Sequence, residues 1–384
     1  MLEENNGVSR RRVLQLAGGS VATLGVAGLA NAKPTDEVEV NVGFSRQTGR
    51  DAAVAAATDV VREFNFDALT ITLPKKAIAG LRNRPDVRYV EENGTMHALG
   101  QTLPWGVDRV DADVAHANGY TGNGADIAII DTGIDSNHPD LQANLGSGTS
   151  FVKCRGSKKT CRQSWDDDNE HGTHCAGIAD AVDNSIGVVG VSTQATLHAV
   201  KVLNNQGSGS FSDVAAGVQY TADQGWDVGS MSLGASSGSQ TVKDACSYAY
   251  NKGVLLVAAA GNNGPCTDCV GYPAAYSTVV AVSATTQSDS LASFSSTGPE
   301  VELAAPGKNI YSTVPGGYGT LSGTSMACPH VSGAGAQLMA QGYTNVEARN
   351  QLKSTAEDLG LSSNEQGSGL LDVAASLGLN SSNN

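Results

Sequence analysis

Three short motifs carry side chains that together do one kind of chemistry. Asp131-Thr132-Gly133, His171-Gly172-Thr173-His174 and Gly323-Thr324-Ser325-Met326-Ala327 supply a carboxylate, an imidazole and a hydroxyl, in that chain order. A serine hydroxyl is a poor nucleophile until a base takes its proton, and the base needs a carboxylate to fix its tautomer. A glycine near the serine lets a substrate backbone come close. All three requirements of an activated serine nucleophile are met by these motifs. His171, His174 and Cys175 have the spacing of a metal cluster on a helix. The zinc-protease pattern H-E-x-x-H is absent, however, because Glu170 precedes the first histidine. His174 reads as a structural helix residue. A cysteine nucleophile at Cys175 or Cys328 competes with an intact serine motif, so these read as free thiols packed beneath the site. An esterase of the α/β-hydrolase kind would place its serine in a G-x-S-x-G elbow, which Gly323-Thr324-Ser325-Met326-Ala327 does not form.

Such groups must be held by a scaffold, and the apolar pattern supplies one. Asp126 to Ile130, Ala195 to Leu203 and Gly253 to Ala260 are nearly continuous apolar runs, as strands buried on both faces of a parallel sheet are. Helices fit between them at His171 to Ala181, Phe211 to Gln224, Thr241 to Lys252 and Ser325 to Gln341. The alternation predicts a doubly wound α/β sheet with its ligand site at the carboxyl ends of the strands. Asp131, His171 and Ser325 all fall at ends of such elements.

Residues 33 to 99 read differently. Val38, Val40 and Val42 alternate as a strand, Asp51 to Phe64 is an alanine-rich helix, and Leu69, Ile71 and Leu73 alternate again. Pro74 opens a second helix, Pro85 closes it, and Val87, Tyr89 and Glu91 begin another strand. This is a split β-α-β unit, small enough to be only marginally stable alone. Before it, Ser9-Arg10-Arg11-Arg12-Val13-Leu14 leads into a Gly/Ala-rich apolar run ending at Ala30-Asn31-Ala32. A transmembrane helix would be more apolar; the order of features is that of an export signal, with paired arginines of the twin-arginine type.

The chain has 384 residues, 40% of them apolar, with 46 glycines and a net charge of −14, which excludes global disorder and argues against a nucleic-acid binder. Residues 1 to 99 carry 12 basic and 12 acidic side chains; residues 100 to 384 carry 12 and 26, and so the whole net charge. Seven cysteines leave at least one unpaired. Cys154 with Cys161, and Cys266 with Cys269, read as disulfides in an exported chain, and Cys175, Cys246 and Cys328 as buried thiols. Lys153, Arg155, Lys158, Lys159 and Arg162 crowd one short loop just before Asp166-Asp167-Asp168. An ion-paired surface loop is the expectation, an exosite or cation site the alternative.

With motifs and elements in place, residues 100 to 377 resemble the catalytic domain of a subtilisin-type serine protease. Residues 33 to 99 resemble the family's inhibitory, chaperone-like propeptide. The resemblance implies an α/β, doubly wound, mainly parallel sheet of subtilisin type, preceded by a small α+β ferredoxin-like propeptide domain, with a signal peptide at 1 to 32 and a catalytic domain at 100 to 384. It makes Asp131 the orienting carboxylate, His171 the base, Ser325 the nucleophile and Asn262, in Ala258-Ala259-Ala260-Gly261-Asn262, the oxyanion-hole side chain. Gly207-Ser208-Gly209 and Ser232-Leu233-Gly234 match the segments that sandwich an extended peptide by β-strand addition. Ala259, Ala260 and Gly261, with Gly271 as floor, would wall a pocket for large apolar residues and give broad specificity.

The same resemblance places autoprocessing between Leu99 and Gly100, with Met96 in the next apolar pocket. It implies a structural Ca²⁺ held by side chains of Gln101, Asp140 and Asp183 and carbonyls of Val182, Ile186 and Val188, with a weaker site around Glu300 and Glu302. Expected partners are protein and peptide substrates and the chain's own propeptide, with no nucleic acid and no membrane span in a monomeric mature form. The twin-arginine signal and the acidic, lysine-poor mature region are similar to those of halolysins, the proteases of salt-loving archaea. Those often carry a C-terminal extension, for which no length is left here. A catalytically weak peptide-binding relative is the alternative, and it would show damage at the serine, base or oxyanion positions; none is damaged.

Overall fold

The computed structural model describes residues 37–94, 100–157 and 160–381. The proposed signal segment, the Leu99 side of the junction with Met96, and Lys158 and Lys159 lie outside these. The chain divides close to residue 97 into two compact units.

The N-terminal unit contains β1 (Glu37–Phe44), α1 (Gln47–Ala56), β2 (Asp59–Phe64), β3 (Ala68–Pro74), a 3-10 turn, α2 (Ile78–Arg82) and β4 (Val87–Glu92). Its antiparallel sheet has the order β2-β3-β1-β4, a ferredoxin-like arrangement, and buries Val40, Val42, Leu69, Ile71 and Leu73. One expectation fails here: the helix predicted over 51 to 64 stops at Ala56. Residues 59–64 form an edge strand that is exposed along most of its length. With neither face buried, it carries no apolar alternation to read.

The C-terminal unit opens with α3 (Trp105–Arg109) and α4 (Ala112–Ala117). Then come β5 (Asp126–Asp131), β6 (Thr149–Ser150), α5 (His171–Asp180), β7 (Thr196–Lys201), α6 (Phe211–Gln224), β8 (Val228–Met231), α7 (Gln240–Asn251) and β9 (Leu255–Ala259). β10 (Val279–Thr285), β11 (Val301–Pro306), the β12 (Ile310–Val314) and β13 (Gly317–Leu321) hairpin, α8 (Thr324–Ala340) and α9 (Asn345–Ser354) follow. Seven parallel strands lie in the order β11-β10-β9-β8-β5-β7-β6. Successive residues of each central strand feed opposite layers. Ile127, Ile129, Leu255 and Val257 pack with α5 and α8, whereas Ala128, Ile130, Leu256 and Ala258 pack with α6 and α7. That two-sided burial is why these strands read as unbroken apolar runs.

Local chemistry sets the helix limits. Ser210 and Asp213 form a capping box at the start of α6, and Gly225 closes it in the left-handed region, φ 74°. Ser239 caps α7, and Thr344 with Glu347 caps α9. Strand order reverses at β5, so the ends of β5, β7, β8 and β9 open onto one crevice, the position expected for a ligand in a doubly wound sheet. Disulfides join Cys154 to Cys161 and Cys266 to Cys269; Cys175, Cys246 and Cys328 are free and buried.

Candidate active site

Asp131 is the last residue of β5 and fully buried. Its carboxylate accepts the Thr132 N–H at 2.6 Å and the His171 Nδ1–H at 2.8 and 3.0 Å. His171 is the first residue of α5, so its ring sits where the helix leaves the crevice. Thr132 ties the two together: its hydroxyl accepts the Gly172 N–H at 2.8 Å and donates to Asp167 at 2.9 Å, and Asp167 in turn accepts from Thr173. A Cβ on Gly172 would lie 2.2 Å from the Gly133 carbonyl, so only glycine permits this approach of helix and strand. Burial opposes a charge on His171, but Asp131, by its charge and hydrogen bond, raises its proton affinity above the ordinary imidazole value.

Ser325 lies in the first turn of α8, half-buried. Its Oγ donates to the Ser232 carbonyl at 3.2 Å, while Ser232 Oγ donates to the Ser325 carbonyl at 2.8 Å. Serine-to-base hydrogen bonds commonly tighten only when substrate is present. Asn262 accepts from the Thr324 N–H at 2.9 Å and hydroxyl at 3.0 Å through Oδ1, which leaves Nδ2 as a donor. A Cβ on Gly323 would be 3.3 Å from that Nδ2 and 3.6 Å from the Ser325 N, so the glycine keeps open a space faced by two donors. Being in the first helical turn, the Ser325 N–H has no partner within α8. This is the arrangement an oxyanion requires.

Contacts bear on the competing assignments, and Asp131, His171 and Cys175 hold their ligand atoms within 4.8 Å of one another. His174 Nε2 is bound to the carbonyls of Ile310 and Gly319, and burial pushes its pKa down to about 4, so it is a structural residue. Cys175 is buried with Sγ 3.4 Å from the Ser325 carbonyl, and burial holds its thiol well above the usual range, which keeps it protonated.

A cleft of about 490 Å³ starts at His171 and runs between Gly207, Ser208 and Gly209 on one side and Ser232, Leu233 and Gly234 on the other. Sequence reasoning missed its apolar lining by Leu203, Phe211, Val242, Tyr272 and Tyr276. These residues belong to no motif and come from four segments. The residues expected to wall a pocket, Ala259, Gly261 and Gly271, do not line this cleft. They form a separate cluster at the end of β9, where the Gly271 N–H donates to the Ala260 carbonyl at 2.8 Å and the Gly261 N–H to Thr324 Oγ1 at 3.1 Å.

Part of the expected cation set converges. Asp183 and Asn184 are both exposed, and Asn184 donates to Asp140 Oδ1 at 3.0 Å. Asp140 Oδ2 accepts the Val188 N–H at 2.8 Å; Gln101 Nε2 donates to the carbonyls of Val182 and Val188 at 2.7 and 3.1 Å. Two side-chain amides thus aim N–H groups at a cluster of oxygens. Their own oxygens accept the N–H groups of Asn184 and Ile186 at 3.1 and 2.7 Å, so a Ca²⁺ here would draw on Asp140 and the carbonyls of Val182 and Val188, and on the two amide oxygens only once those N–H bonds were given up. At the weaker expected site, the Glu302 carboxylate is engaged by Arg349 and Lys353, while Glu300 Oε2 is buried without a hydrogen-bond partner. Of the basic loop, Lys158 and Lys159 lie outside the described residues. Asp166, Asp167 and Asp168 bind backbone N–H groups, hydroxyls and Lys201, and among the described residues no ion pair involves Lys153, Arg155 or Arg162.

Comparison with known proteins agrees with this geometry. The Subtilase family model matches residues 122–369. Subtilisin E of Bacillus subtilis (strain 168) is 41% identical over 370 residues, covering 93% of this chain and 94% of its own length. Subtilisin J of Geobacillus stearothermophilus is 42% identical over 360 residues, with 90% and 92% covered. An alkaline protease of Shouchella clausii is 43% identical over 321 residues, with 83% and 81% covered. The chain belongs to the Subtilase family. It is a serine endopeptidase acting on peptide bonds, and no helix among the described residues is long and apolar enough to cross a membrane.

Proposed function

We propose that the chain is an exported preproenzyme: a twin-arginine signal at 1–32, an inhibitory propeptide at 33–99, and a mature protease that frees itself by cleaving between Leu99 and Gly100. Supporting this, the ferredoxin-like unit ends just before the junction, and an alignment covering 93% of the chain must take in most of that unit.

In the mechanism, His171 Nε2 accepts the Ser325 Oγ proton as Oγ bonds to the scissile carbonyl carbon. The carbonyl electron pair moves to oxygen, which is met by Asn262 Nδ2 and the Ser325 N–H. His171 returns the proton to the departing amine as the C–N bond breaks, leaving an acyl-enzyme. Water, activated by the same base, releases it. The mainly apolar cleft and the small, uncharged cluster at Ala259, Gly261 and Gly271 favour broad specificity with large apolar residues before the scissile bond. Gln101, Asp140 and Asn184, with the carbonyls of Val182, Ile186 and Val188, would hold a structural Ca²⁺ that joins the mature N-terminus to the 182–188 loop. The acidic mature region favours the halolysin-like reading of a secreted, salt-adapted monomer.

The observations that carry this reading are the buried Asp131 bonded to His171 and, at the start of α8, Asn262 Nδ2 and the Ser325 N–H about one space at Gly323. Casein hydrolysis by the purified protein and by Ser325→Ala tests it. Activity confined to the unsubstituted enzyme is expected, with its N-terminus at Gly100; equal activity in both would refute the mechanism.

A further inference from the structure

Lys201 ends β7 and is the bulkiest of the wholly buried side chains among the described residues. Its partner across the parallel ladder is Asp131. The ammonium donates to the Thr132 carbonyl, to the Leu203 carbonyl at 3.1 Å and to Asp168 Oδ1 at 2.6 Å. The other oxygen of Asp168 accepts the backbone N–H of Arg155, in the loop pinned by Cys154 and Cys161. Asp168 itself lies three residues before His171. One buried ion pair therefore bridges the strand end that carries the catalytic carboxylate and the segment that delivers the catalytic base.

Burying two charges is costly, and packed apolar side chains would serve stability as well or better. The location accounts for the pair. Thr132 has its carbonyl held by Lys201, its N–H by Asp131, and its hydroxyl by Gly172 and Asp167. Every polar group of the residue that links Asp131 to α5 is fixed, and Lys201 supplies the contact that no neighbouring backbone makes.

We propose that Lys201 and Asp168 are positioning residues of the catalytic site, whose ion pair sets the Asp131 carboxylate against the His171 imidazole while adding no net charge. The inference rests on the serine-protease mechanism above. The charged and titratable groups facing His171 are Asp131 from β5, Asp167 and Glu170 from the segment before α5, and His174 and the protonated Cys175 on α5. Against that field an unpaired Asp168 adds a negative charge and an unpaired Lys201 a positive one.

The test compares kcat, KM and the acid limb of kcat/KM against pH for the full protein and for Lys201→Met, Asp168→Asn and the double variant, with folding checked by circular dichroism. Each variant is expected to lose kcat by up to about 100-fold with KM little changed, the scale of a small misplacement of reacting groups. The acid limb should rise in Lys201→Met, fall in Asp168→Asn and return to its original place in the double variant. A purely structural pair would lower yield or stability without those opposed shifts. Unchanged kcat and acid limb in folded variants overturn the proposal, while an inactive Ser325→Ala would leave the mechanism standing. Should Lys201→Met and the double variant fail to fold, the near-isosteric Asp168→Asn decides the matter alone.

Discussion

His171 must be neutral to accept the Ser325 proton, yet Asp131 makes it a stronger base than an ordinary imidazole. The acid limb of kcat/KM should therefore lie above the ordinary value near 6.5, with activity lost as pH falls through it. In Asp131→Asn the raising cause is gone, so the limb should move down while kcat drops by about 10⁴-fold, as is usual when the tautomer is no longer held. A pH series on both proteins measures this. The triad was legible in the sequence because each member sits in a short motif whose neighbours serve the same chemistry. The cation loop was less so. Asp183 and Asn184 are adjacent and both offer oxygen, and only the contact with Asp140 tells them apart. Accordingly, a calcium chelator should lower Tm in the unsubstituted protein and in Asp183→Ala, whereas Asn184→Ala should start lower and respond less; equal chelator responses in all three would count against the site.

At the scale of elements, catalysis depends on how α5 and α8 meet, since one carries the base and the other the nucleophile. Gly333 in α8 is a contact point: a Cβ there would lie 2.6 Å from the Ala179 carbonyl and 2.8 Å from Val191 Cβ. Gly333→Ala is expected to cost about 1–3 kcal/mol and to lower kcat by parting the two helices. Thermal unfolding of the variant in a Ser325→Ala background, which avoids self-digestion, measures the first effect. The helices α5, α6, α7 and α8 were readable from the sequence, and α6 runs from Phe211 to Gln224 as expected, whereas α3, α4 and α9 were not predicted. β8 contains Gly229 and Ser230 in only four residues, and Glu302 interrupts β11, so neither forms a long apolar run. β10 meets the criterion that revealed β9 and could have been assigned with it.

For the whole molecule, charge is the dominant variable. Residues 100–384 hold all of the −14. Several of their twelve basic side chains are committed internally, Lys201 to Asp168, Arg349 and Lys353 to Glu302, and Arg109 to Asp289 and Glu357. Self-repulsion should therefore be relieved by screening, which is short-ranged, about 3 Å, near 1 M salt. Tm and activity are expected to rise from dilute buffer to molar NaCl, and not in a neutral osmolyte of equal osmolality. Full stability without salt would remove the halophilic reading and leave the protease intact.

The two disulfides are both local, spanning 7 and 3 residues, while the three remaining thiols are sealed in the core. Bridges that close such short loops remove little chain entropy, so the fold does not depend on them for its topology. On the export reading proposed above, oxidation would be a finishing step on a molecule already assembled. A chain folded under reducing conditions has no long-range cysteine pairing to mismatch, and it can acquire both bridges after it has moved to an oxidising compartment without being taken apart.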